Sequence, residues 1–376
     1  MRFRNLITCI SIVFISAACQ QAGNTQLAAI NETVKAVGKN LVPDGRIDIF
    51  KVEAVERDGK MTLSGDVLNP LVSAMLQDSL KTYFPDIEFA NQIQVLPSDS
   101  LGDKTFGIVN ISVANIRRYP KFQAELVNQT ILGTMVRLLK AKRGFYYVQN
   151  RDQYLGWLHK NSVVAVTAEE LAEWQNSEQM ICISNYGVVH SAMTGANKQM
   201  LVDLVPGAIL KKSGDAGNYV KVEMPDQKIG YVEKSVMISK ENLDKVQATR
   251  EKIITTSKQF LGVPYLWGGT SSKGFDCSGF VQTVFRLNNM ELPRDASQIV
   301  REGEEIATGE KFENLVVGDL LFFGDKPGRI SHVAIYMGDH LYIHSSTSVH
   351  INSLDPEHPL FSEYRHRTFQ KAKRLL

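Results

Sequence analysis

Cys277, His332 and His344 are the residues of this chain whose types and order suit nucleophilic attack on an acyl carbon. Cys277 stands in Asp276-Cys277-Ser278-Gly279-Phe280, and the apolar residues Phe280, Val281, Val284 and Phe285 recur at the spacing of one buried helix face. That places the thiol in the first turn of a helix, with Asp276 available as its cap. The helix dipole and the first-turn amides favour an anion there, so the thiol pKa is expected below its usual value of about 8.5. A cysteine nucleophile also needs a base. His332 opens the strand-like run Ser331-His332-Val333-Ala334-Ile335-Tyr336; His344 lies in the next, Leu341-Tyr342-Ile343-His344-Ser345, where it would orient the first imidazole. A zinc site built from His340 and His344 is the rival chemistry, but four residues along a strand separate them by ~13 Å, too far for one ion. No metal or cofactor is expected. His159, His190, His350, His358 and His366 show no pairing and read as surface or satisfied histidines.

Side chains alternate along a strand, so the hairpin joining the two histidines must have a particular parity. A two-residue turn at Gly338-Asp339 would pair Val333 with His344 and send His332 to the opposite face. An odd loop, Gly338-Asp339-His340, pairs Ala334 with His344 and sets His332 diagonal to it on one face, which is the expected arrangement. Upstream, the spacing predicts a charged helix over 239–260, with Leu243, Val246, Ile253, Ile254, Ser257 and Phe260 roughly along one face. It stops before Gly262 and Pro264.

Tyr265-Leu266-Trp267-Gly268-Gly269, Asp276-Cys277-Ser278-Gly279-Phe280, Ser331-His332-Val333-Ala334-Ile335-Tyr336 and His344 together resemble the NlpC-type cell-wall cysteine peptidases, over roughly residues 245–370. The resemblance implies an α+β papain-like domain in which Cys277 is the nucleophile, His332 the base, His344 the third member and Tyr265 a polar neighbour of the thiolate. Its implied substrates are peptidoglycan peptides cut at the γ-D-glutamyl-L-diamino acid bond. A function of another class, a wall-binding lipoprotein with an idle last domain, is disfavoured by the intact Cys277, His332 and His344. Acyl chemistry on lipids is a third reading of the same fold.

The chain of 376 residues is long enough for several domains. Its middle carries a repeat: Gly133-Thr134-Met135-Val136 leads after 23 residues to Gly156-Trp157-Leu158, and Gly207-Ala208-Ile209-Leu210 after the same 23 to Gly230-Tyr231-Val232. Two copies of one small barrel are expected, and glycine followed by Trp or Tyr resembles bacterial SH3 domains. If the first copy walls off one end of a cleft, as in the resembling family, only peptides with a free amino terminus, an L-Ala two residues before the scissile bond, would fit. Glu125 and Tyr154 are the candidates to receive that ammonium, with Asp276 and Ser278 able to reach it from beside the nucleophile. Residues 168–176 read as a helical linker. Earlier still, residues 28–98 read as αββαβ, loosely like the BON domain, and Leu71, Met75, Leu76, Leu80 and Tyr83 form the apolar stripe of its second helix.

At the amino terminus, Arg2 and Arg4 precede the apolar run Leu6 to Ile15, then Ser16, Ala17, Ala18 and Cys19. This reads as a signal peptide over 1–18 ending in a lipobox-like cysteine, so Cys19 is the expected lipidation site, a membrane tether on a protein exported to the bacterial envelope, facing the periplasm. The domains expected after it are 28–98 (small α/β), 101–166 and 178–238 (SH3-like barrels) and 241–376 (peptidase). With Cys19 acylated, the folded part holds only Cys182 and Cys277, too few for a disulfide scaffold; Cys182, in Met180-Ile181-Cys182-Ile183, reads as a small buried hydrophobe. Forty-two basic against forty acidic residues leave a formal charge of +2, without the one-sided field of a nucleic-acid binder.

Overall fold

The computed structural model describes residues 25–309 and 311–376. The expected signal segment and lipidation site Cys19 lie outside the described residues. Two compact units divide between Asp99 and Ser100. No described helix is long and apolar enough to cross a membrane.

In the first unit a helix over 25–41 precedes an antiparallel pair, Phe50–Arg57 with Lys60–Val67, and the helix Pro70–Tyr83 then crosses over to Phe89–Val95, which runs parallel to Lys60–Val67. The order is αββαβ. Asn69 starts the crossover helix by accepting from Leu71 N, with Pro70 in the first turn, where its missing N–H costs nothing. The buried row of this helix is Val72, Leu76 and Leu80, whereas Leu71, Met75 and Tyr83, expected in the stripe, are more than half exposed. Two adjacent rows of the helix are apolar, and only the sheet beneath decides which is covered.

In the second unit two seven-stranded antiparallel sheets follow one another. If the strands of each are lettered a to g in chain order, both sheets read g-a-d-e-f-b-c. Even the irregularities repeat: the fourth strand of each, Met135–Lys142 and Ile209–Ala216, carries a register shift, at Leu138/Lys140 and Lys212/Gly214. Between them the helix Ala168–Asn176 is closed by a capping box of Thr167 and Glu170, and it lays Leu171 and Trp174 on the first sheet beside Ile108 and Val166. Cys182 is fully buried in the second sheet; burial pushes its thiol up to about 11, as suits a packing residue.

The last part is an α+β papain-like domain. Its centre is the helix Cys277–Arg286, whose first nine residues are all buried, against a six-stranded antiparallel sheet ordered Glu304–Ile306, Phe369–Arg374, Leu320–Phe323, His332–Gly338, Leu341–Ser345, Val349–Ser353. Phe280, Val281, Val284 and Phe285 are completely buried, each contributing roughly 1.5–3 kcal/mol to holding the helix in place. The single helix expected over 239–260 is two, Lys240–Asp244 and Arg250–Lys258. Thr249 is the reason: it is extended, with φ −131°, and its hydroxyl accepts from Lys252 N, so it begins a new helix.

Candidate active site

The helix start builds the site. Asp276 caps it by accepting from Gly279 N at 2.7 Å, which leaves Cys277 as the first helical residue, 8% exposed. The thiol Sγ lies 3.9 Å from the Ser331 carbonyl oxygen and also meets the Val333 backbone amide, so both neighbours of His332 flank it. Here the structure corrects the expected low thiol pKa: burial, and then the Asp276 carboxylate, push Cys277 up to about 12. A helix start is worth at most ~2 kcal/mol to an anion, while full desolvation moves a group by several pKa units. Burial also holds His332 well below the usual imidazole range, with His344 adding to the effect. Both shifts favour the neutral thiol and the neutral imidazole over the ion pair.

The imidazoles form a directed relay. His332 Nε2 lies 2.8 Å from His344 Nδ1, and His344 Nε2 lies 2.9 Å from Asn352 Oδ1. Asn352 Nδ2 donates to the Leu360 carbonyl, which turns Oδ1 toward the rings. An amide oxygen only accepts, so His344 carries its proton on Nε2, its Nδ1 accepts from His332 Nε2, and His332 Nδ1 is left with a lone pair. That is the tautomer a base requires. Burial lowers His344 to about 3, so it stays neutral and keeps this tautomer.

The two histidines share a face through a device other than the expected three-residue loop. Asp339 and His340, at φ 49° and 59°, form a two-residue turn of the I′ kind closed by Gly338 and Leu341. Regular pairing onward would set Ile335 opposite His344 and turn His332 away. Met337 is instead an extra residue: Tyr336 pairs with Tyr342 and Ile335 with Ile343, so that one further step in this register sets Ala334, and with it the face of His332, toward His344.

Tyr265, half-buried, senses Cys277 and Asp276, and its phenol is pushed up, chiefly by burial, so it stays protonated. Asp276 and Ser278 are buried: Arg294, 1% exposed, spans both Asp276 oxygens, and its Nη1 donates to Ser278 Oγ at 3.0 Å. Asp276 also accepts from Gly268 N. Sequence reasoning missed Arg294; its signal was an arginine between Pro293 and the Asp295-Gln298 capping box. It missed Asn352 too, and it dismissed His350, whose ring packs tilted against His344 with centroids 4.5 Å apart.

The first barrel runs along the edge of this site through its strand Leu126–Ile131. Asn128 Oδ1 accepts from Arg294 Nε, and Gln129 Oε1 accepts from Thr270 N and Ser271 Oγ. Gly268, at φ +78°, lies so close to this strand that a Cβ would be 2.5 Å from the Leu126 carbonyl oxygen. Glu125 accepts from Trp267 Nε1 at 3.0 Å and pairs with Arg118. Tyr154 donates to Asp295 at 3.3 Å, beside Arg294.

A buried cysteine at a helix start, facing a strand whose imidazole is aligned by a second, defines a papain-like cysteine peptidase. The profile of the NlpC/P60 family matches residues 262–372, and that of the bacterial dipeptidyl-peptidase SH3 domain matches 116–163. Dipeptidyl-peptidase 6 of Lysinibacillus sphaericus is 31% identical over 266 residues, 68% of this chain and 94% of that protein. A gamma-D-glutamyl-L-lysine dipeptidyl-peptidase of Bacillus subtilis is 44% identical over 101 residues, 26% of this chain and 33% of its own. The crystal structure of an NlpC/P60 family protein from Bacillus cereus shares the fold, with TM-score 0.62 at 22% identity over 72% of this chain and 99% of that one. The chain belongs to the NlpC/P60 family of peptidoglycan-hydrolysing peptidases.

Proposed function

We propose that the protein is an exported, lipid-anchored envelope peptidase that cleaves the γ-D-glutamyl-L-diamino acid bond of peptidoglycan-derived peptides. Cys277 is its nucleophile, His332 its base and His344 the residue that orients the base. The observation that carries this reading is the relay Asn352–His344–His332, which leaves a basic nitrogen on the strand that flanks the thiol. With burial favouring the neutral form of both partners, the proton passes from Sγ to His332 as the thiol attacks the γ-carbonyl, and from His332 to the leaving amine as the tetrahedral intermediate collapses. The first-turn amides of Cys277 and Ser278 have no intrahelical carbonyl to bond, so they are the donors for the oxyanion, with the protonated Tyr265 nearby. Water then releases the acyl-enzyme.

The first barrel would restrict the substrate to peptides with a free amino-terminal L-Ala, received by Glu125 and Tyr154, with Asp276 and Ser278 able to reach it from beside the nucleophile. Support comes from the Glu125–Trp267 contact, which sets that carboxylate beside the motif ahead of the nucleophile, and from the similarity to the Bacillus subtilis gamma-D-glutamyl-L-lysine dipeptidyl-peptidase. Arg118 already offsets part of the Glu125 charge. The test is mass analysis of products from L-Ala-γ-D-Glu-L-Lys, its diaminopimelate counterpart, and both acetylated at the amino terminus. Cleavage after D-Glu in the free peptides alone is expected; no cleavage of any would overturn the reading, and equal cleavage of acetylated peptides would remove the wall.

A further inference from the structure

Arg365 lies in the short helix Glu363–Thr368, outside every motif discussed so far. Its guanidinium is half-buried and covered by two rings, with Cζ 5.7 Å from the centroid of Phe323 and 5.2 Å from that of Tyr364. Phe323 also touches His332, at 5.7 Å between centroids, so one ring is shared by this cation and the proposed base. Against these two rings, the guanidinium N–H groups hold only a 3.5 Å contact to Ser346 Oγ. Among the described residues no carboxylate lies within ion-pair distance of it. Burial pulls its own pKa down, and Cys277 is among the groups that act on it electrostatically. Arg294, the other buried arginine near the nucleophile, is in contrast saturated by Asp276.

A partly dehydrated guanidinium whose N–H donors are nearly all without a protein partner is matched to a carboxylate, which accepts two parallel N–H bonds. We propose that Arg365 binds a substrate carboxylate next to the scissile amide, selecting acidic over amidated peptides. The inference rests on the γ-D-glutamyl reading above. A γ-linked D-glutamate leaves its α-carboxylate free on one side of the bond, and a terminal diamino acid carries a second on the other. Both present the same chemistry.

Three peptides separate them: L-Ala-γ-D-Glu-L-Lys, the same peptide with the D-glutamate α-carboxylate amidated, and the same peptide with a carboxy-terminal amide. The wild type should lose about 10- to 100-fold in kcat/KM on one of the two amides, the usual range for a lost hydrogen bond to a charged group. Arg365→Met should lose a similar factor on the parent peptide and nothing further on that amide; whichever amide it is names the carboxylate. Arg365→Lys, which keeps the apolar stem against Phe323, should show a smaller loss confined to the same carboxylate, and melting curves check that both variants fold. Wild-type activity at one rate on all three, or a loss in both variants that is equal on all three, overturns the role of Arg365 while leaving the peptidase reading standing. No cleavage by the wild type fells the reading, and this inference with it.

Discussion

His332 Nε2 and His344 Nδ1 stand 2.8 Å apart although the turn joining their strands has the wrong parity to put them on one face. Met337, bulged out of the pairing, supplies the missing step. The alignment of the proposed base therefore depends on a backbone irregularity five residues from His332, and the tautomer depends on Asn352 at the far end of the relay.

Replacing Cys277 with Ala should abolish peptide hydrolysis with the melting temperature essentially retained, since only the nucleophile is lost. Cys182→Ser should remain active and lose stability alone, because Cys182 is buried in the apolar core of the second sheet and its Sγ bonds the Ser184 carbonyl. Measured turnover above a trace in the first protein, or inactivation without unfolding in the second, would reverse the roles.

The reactivity of Cys277 should depend steeply on pH. With the thiol pushed up to about 12, the thiolate fraction grows as pH rises, so alkylation by iodoacetamide should accelerate about tenfold per unit between pH 6 and 9. His332, held below its usual range, is already neutral over that interval and contributes no falling limb. A rate that is flat from pH 5 to 8 would show a preformed thiolate–imidazolium pair instead.

Asn352→Leu should lower kcat by about 10- to 100-fold with little change in KM, because His344 loses the acceptor that holds its proton on Nε2. Asn352→Asp keeps an acceptor and adds a negative charge, so it should retain more activity and shift the acid limb of the pH profile upward. Steady-state kinetics from pH 5 to 9 compare the two.

Arg294→Met should destabilise the catalytic domain by about 3–5 kcal/mol, since it leaves the buried Asp276 carboxylate without its cation. Urea unfolding followed by Trp fluorescence measures this. The double variant Arg294→Met/Asp276→Asn should recover part of the loss; no recovery would mean that the Asn128 contact, not the charge pair, dominates.

What sequence alone determined was chemical type and periodicity. Cysteine ahead of a buried helix face, histidines in consecutive apolar strands and a duplicated glycine–aromatic spacing are local patterns, and each is sufficient for its element because burial selects apolar residues at the period of the element. The linker over Ala168–Asn176 was legible to the residue, since its capping box is written in adjacent positions. What only the tertiary structure decided were quantities that depend on distant residues. Which apolar row of the helix Pro70–Tyr83 is covered follows from the sheet it meets. The thiol pKa was misjudged because the helix start is a local feature, whereas the desolvation that outweighs it comes from a whole domain closing over Cys277. The Met337 bulge leaves no mark in residue type, and Arg294, Asn352 and Arg365 lie 17, 75 and 88 positions beyond the nucleophile, beside it only because the sheet folds back. Side-chain chemistry is carried by single residues, but charge, hydration and parity are properties of the packed chain.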